Sequence, residues 1–156
     1  MKTLLSIAVL FCVGCGTVDP MPECSPSPSI NAITSRAIAV YAAAGHPVTV
    51  DYPVGVGELP SASMFAACVT WRNPVSSGRK LIVSSQLLTV NADLQTFVMI
   101  HEIAHCSFGL DHVKQEQGQV MSPYAPDWQT PLETDAWVLF WEQVGEAERL
   151  AFGRGE

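Results

Sequence analysis

The chain has 156 residues, 48% of them apolar and 15% charged, which is one domain's worth of sequence with enough apolar residues for a core. Its net charge of −7, with no basic cluster, argues against nucleic acid as a partner and against electrostatic adhesion to anionic lipid.

Residues 1–14 read as a signal peptide. Lys2 gives a short positive region, and 4–13 is an apolar run too short to span a bilayer as a helix. The run ends Cys12-Val13-Gly14-Cys15, similar to the lipobox of bacterial lipoproteins, which implies cleavage before Cys15 and lipid on its thiol. The expected location is the bacterial cell envelope, with membrane contact through the lipid anchor alone; an ordinary secretory cleavage would instead release the protein. Removing 1–14 takes away Lys2 and no acid, moving the net charge from −7 to −8. Residues 15–29 hold Pro20, Pro22, Pro26 and Pro28 among Ser and Gly and read as an extended tether, with the folded domain over 30–156.

Within that domain, Ile33, Ala37, Val40, Tyr41 and Ala44 fall on one helical stripe, closed by Gly45 and Pro47. His46 at its end is expected to be a loop histidine. Strands are expected over 48–52, 65–71 and 81–84, with a turn over 73–78 before the last. The stretch Gly55-Val56-Gly57-Glu58 lacks the Lys and following helix of a phosphate loop and reads as a plain turn.

A helix then opens at Asn91, a capping residue, with Asp93 in its first turn and Gly109 as its stop. Leu94, Phe97, Val98, His101, Ala104, His105 and Phe108 recur at helical spacing. Residues four apart lie about 40° apart around the axis, so His101 and His105 point the same way and can share one zinc ion. Glu102, about 100° from His101, is close to such an ion but badly placed to ligate it, where a base would take a proton from water. His112 follows Gly109, so the chain can turn back and offer a third nitrogen. Val120-Met121-Ser122-Pro123-Tyr124 comes next, with Met121 nine residues after His112.

Together these segments resemble the metzincin zinc peptidases, whose pattern is H-E-x-x-H-x-x-G-x-x-H followed by a methionine turn. Here three residues, Cys106, Ser107 and Phe108, stand where that pattern has two, which adds about 1.5 Å of rise and 100° of rotation. The Gly109-Leu110-Asp111 turn is therefore expected to take a different path. The longer spacing looks like a group of small predicted bacterial lipoprotein metallopeptidases. Leu110 stands where those often have Arg, and Ala104 where they have Gly.

The resemblance implies a zinc-dependent endopeptidase acting on protein or peptide substrates, expected as a monomer. His101, His105 and His112 would hold Zn2+ and Glu102 would activate water. Met121 would pack beneath the metal, Tyr124 would donate to the oxyanion or simply pack, and an unidentified edge strand would pair with substrate. Rival third ligands are Asp111, Glu116 and Glu133; His112 is preferred because a neutral imidazole leaves the site more positive. The alternative function is a lipid-anchored zinc-binding or interaction module without hydrolytic activity.

Beyond Cys15 the cysteines are Cys24, Cys68 and Cys106, so one disulfide and one free thiol are expected, with the pairing open. Thr130-Pro131-Leu132-Glu133 opens a last helix whose stripe is Leu132, Ala136, Leu139, Phe140, Val144, Ala147 and Leu150. Trp137 and Trp141 are expected to pack. Helix, strands, metal helix, turn and helix fit an α+β domain with a small mixed sheet, as metzincins have.

Overall fold

The computed structural model describes residues 23–59, 64–72, 77–113, 120–122 and 134–152. They form the expected α+β arrangement, a mixed four-stranded sheet with three α-helices. Strand β1 (Cys24–Ser25) runs antiparallel to β2 (Val54–Gly57), β2 parallel to β4 (Ser77–Val83), and β4 antiparallel to β3 (Ala66–Arg72). The order across the sheet is β1-β2-β4-β3, so β3 lies at an edge among the described residues. No helix among them is long and apolar enough to cross a membrane.

Two strands differ from the sequence reading. Residues 48–52 are not a strand; β2 falls instead on the glycine stretch read as a turn. The glycines serve close approach: a Cβ at Gly55 would stand 2.6 Å from the Ser25 carbonyl oxygen, and one at Gly57 2.5 Å from that of Glu23. That contact also gives Cys24 and Ser25 a partner, so part of the expected tether, 15–29, is sheet, and the first helix opens inside it, at Pro28. Strand β4 begins four residues before the expected start, because the Trp71 ring lies over Gly78, whose missing side chain makes the room.

Helix α1 (Pro28–Ala43) has Pro in its first turn, where no amide partner is lost. It buries Ile30, Ile33, Ala37 and Tyr41 against α2 (Ala92–Ile103). The Tyr41 hydroxyl donates to the Ile100 carbonyl at 2.9 Å, and burial pushes its pKa up. The Asn91 side chain caps α2 by accepting from Leu94 N–H at 2.8 Å, as its sequence position predicts.

Helix α3 (Thr134–Phe152) buries Ala136, Phe140 and Val144, but Leu139 and Leu150, expected on its inner stripe, are 46% and 59% exposed. The tryptophans take the inward positions. Trp141 meets Tyr41 edge-on at 5.2 Å and stacks on His46, while Trp137 packs edge-on against Phe97. His46 is a packed loop histidine whose Nδ1 pairs with Glu148 at 2.9 Å. The expected helix opening at Thr130 to Glu133 lies outside the described residues.

Candidate metal centre

The last turns of the metal helix change geometry. After Ile103 the chain continues as a π-helix over Ala104–Phe108 and stops at Gly109, whose φ of 66° is left-handed. A π turn holds one more residue than an α turn. The extra residue of the motif is therefore absorbed inside the helix, and the turn at Gly109 is the expected left-handed stop. The expectation that the turn itself changes path is corrected on this point. Leu110 N–H donates to the Ala104 carbonyl at 3.3 Å, closing the helix end.

This geometry returns His112 to the helix face. The Nε2 atoms of His101, His105 and His112 stand 3.0–3.1 Å from one another. Two of the rings have their other nitrogen committed. His101 Nδ1 lies 2.7 Å from the Val120 carbonyl oxygen and His105 Nδ1 2.5 Å from that of Leu110. A carbonyl only accepts, so both Nδ1 atoms carry the proton and both Nε2 atoms carry a lone pair. Lone pairs aimed at one point repel unless a cation or proton lies between them. Three neutral imidazoles at this spacing fit one ion with bonds of about 2.0–2.1 Å, and the carbonyl partners are the outer support such ligands use. Burial, together with the neighbouring histidines and against the Val120 carbonyl bond, pushes the His101 pKa down to about 4. Burial likewise lowers that of His105.

These three histidines alone, among the described residues, form a cluster that could hold a metal ion. Asp111, the nearest rival ligand, is exposed and not part of it; Glu116 and Glu133 lie outside the described residues.

Glu102 is 7% exposed and also stands apart from the cluster. Its Oε2 accepts from the Cys68 N–H at 2.9 Å. Burial raises its pKa to about 7, opposed by that hydrogen bond. Glu102 and the three histidines line one cleft of about 830 Å³ between the metal helix and β3, floored in part by Phe97 and Val98. The Phe65 carbonyl accepts from Ser84 N–H, so odd-numbered residues of β3 face β4. Ala66, Cys68 and Thr70 accordingly turn their backbone groups toward the cleft.

Met121 is buried in the core, and its carbonyl accepts from Val113 N–H at 3.1 Å. Val120 and Met121 thus hold both the His101 ring and the segment carrying His112. Tyr124 and Cys15 lie outside the described residues.

Several supports carried no sequence signal. The Val120 and Leu110 carbonyls are main-chain atoms, invisible to a reading of side chains. The disulfide pairs Cys68 with Cys106, across 38 positions, and leaves Cys24 free. Arg79 Nη1 donates to the Cys106 carbonyl at 2.6 Å, and the Tyr52 hydroxyl and Ser107 Oγ share a hydrogen bond at 3.0 Å. Both steady the π segment from the sheet side.

No protein family, curated protein or solved structure matches this chain.

Proposed function

We propose that the chain is a zinc-dependent endopeptidase of metzincin-like design. The observation that carries this reading is the convergence of three imidazole nitrogens, two of them with their other ring nitrogen held by a carbonyl, beside a buried carboxylate outside the cluster. A site that only stabilises a fold has no use for that carboxylate. Zinc is the choice for an all-imidazole donor set and supplies Lewis acidity, acidifying water and polarising a carbonyl. Glu102, fixed by Cys68 N–H, is the base that takes the proton and returns it to the leaving amine. The outward backbone groups of Ala66 and Thr70, with the Cys68 carbonyl, suit an extended peptide laid along β3, while the Cys68 N–H stays on Glu102. Met121 is read as the buried residue of a methionine turn and Tyr124 as a donor to the developing oxyanion. The lipobox resemblance supports attachment to the cell envelope through Cys15; Cys15→Ser should release the protein from the membrane fraction.

The test combines metal analysis with cleavage of a denatured protein. The zinc-loaded chain should cleave it, and Glu102→Gln should keep zinc while hydrolysis falls by about 10²-fold or more. Zinc bound without cleavage, across several substrates and pH values, would leave a zinc-binding module. Loss of zinc in Glu102→Gln would make Glu102 a ligand and sink the mechanism.

A further inference from the structure

We propose that the Cys68–Cys106 disulfide is a redox-controlled positioning device for Glu102, an inference that rests on the hydrolase reading above. Two links run from Cys68 to the metal helix. Its sulfur is bonded to Cys106, and its N–H is bonded to Glu102 Oε2 at 2.9 Å. Glu102 and Cys106 are four residues apart, one turn along the same helix face, so one residue of β3 reaches both. Among the described residues, strand β3 pairs with β4 on one side only, and on the other it meets the helix, in part through these links.

Reduction removes the covalent tether that holds β3 against the helix at Cys68, and with it the constraint that keeps Cys68 N–H on Glu102 Oε2. The histidines do not depend on this link. Their supports are the carbonyls of Val120 and Leu110, and the Cys106 carbonyl stays on Arg79. Reduction thus withdraws the base and leaves the metal ligands in place. Cys68 is half-buried and lines the cleft whereas Cys106 is buried, so a reductant would have to approach the bond from the Cys68 side. A dithiol donor gives up two electrons and two protons and becomes a disulfide, while the Cys68–Cys106 bond becomes two thiols. In vitro a phosphine does the same with one water, leaving as phosphine oxide.

The test uses the full zinc-loaded chain, oxidised, phosphine-reduced and reoxidised, with Cys68→Ser/Cys106→Ser alongside. Selective ¹⁵N-cysteine labelling follows the Cys68 amide, assigned by its loss in Cys68→Ser. In the oxidised protein its proton should resonate downfield, as an amide bonded to a carboxylate does. It should move upfield on reduction, and in the same direction but by less in oxidised Glu102→Gln, whose neutral amide oxygen still accepts. Zinc content and helical circular dichroism should not change. The kcat should fall roughly 10–100-fold with KM nearly constant and recover on reoxidation. On the Glu102→Gln background, breaking the disulfide should leave the residual rate unchanged, because its effect runs through Glu102. A Cys68 amide unmoved by reduction overturns the proposal. So does loss of zinc or of helix signal, which would make the bond a general staple. Should the oxidised protein bind zinc yet cleave nothing, the hydrolase reading falls, and the amide shift alone decides whether the disulfide sets Glu102.

Discussion

Arg79 and Cys106 are joined by a hydrogen bond of 2.6 Å from guanidinium to carbonyl, tying β4 to the π segment one residue beyond His105. A helix that ends in a π turn leaves carbonyls without amide partners, and a charged donor is a strong replacement. The same guanidinium lies over the Tyr52 ring at 4.9 Å and meets Asp51 at 3.1 Å. Arg79→Met should lower stability by about 1.5–3 kcal/mol, the range for a hydrogen bond to a charged group. Asp51→Asn should change it little, because that pair is solvent-exposed. Urea denaturation of the metal-free protein compares the two; equal losses would mean that the ion pair, not the Cys106 carbonyl, is what Arg79 serves.

The third ligand is tested by neighbouring substitutions. His112→Ala should weaken zinc binding by more than the roughly 10–100-fold that outer-shell changes cost, and Asp111→Ala should hardly alter it. Competition against a chromogenic chelator gives both affinities. The reverse ranking would show the register after Gly109 to be off by one.

Deletion of Ser107 tests the role of the π turn. It restores the two-residue spacing before Gly109, so Ala104 onward can continue as ordinary α-helix with Gly109 still the stop. The variant should bind zinc within about ten-fold of the parent, having lost only the Tyr52 hydrogen bond and whatever outer support Ser107 gives. Failure to bind zinc at all would mean that the π geometry itself shapes the ligand set.

Gly55→Val addresses the sheet rather than the site. Its Cβ would meet the Ser25 main chain, which can yield only by moving β1. A loss of about 1–3 kcal/mol is expected, as for overpacking, with zinc affinity unchanged in the folded protein. Thermal unfolding and chelator competition together check this; a stable variant would show that β1 adds nothing to the sheet.

What the sequence makes legible follows from where the information sits. Asn91 as a cap, Gly109 as a left-handed stop and the shared face of His101 and His105 are local consequences of residue type and helical spacing, and the structure has all three. The convergence of His112 depends on how the spare residue is accommodated. Counting along an ideal α-helix assigns the adjustment to the turn, whereas the helix takes it up by changing its own hydrogen-bond period. Strand β2 was illegible because its glycines have no side chains to alternate; their meaning lies in β1, thirty residues away in the chain. Leu139 and Leu150 follow the apolar period of α3 but lose the inner face to larger indoles, whose partners Tyr41, His46 and Phe97 come from other elements.

The Cys68–Cys106 bond also acts when the protein is unfolded. It closes a loop across 38 positions that contains β4 and the whole of α2. In the chain-entropy account, restricting the denatured ensemble in this way is worth about 4 kcal/mol, a large share of the roughly 5–15 kcal/mol that keeps a domain folded. An oxidised chain therefore searches for its fold with the edge strand and the metal helix already tethered, whereas a reduced one must close that distance unaided.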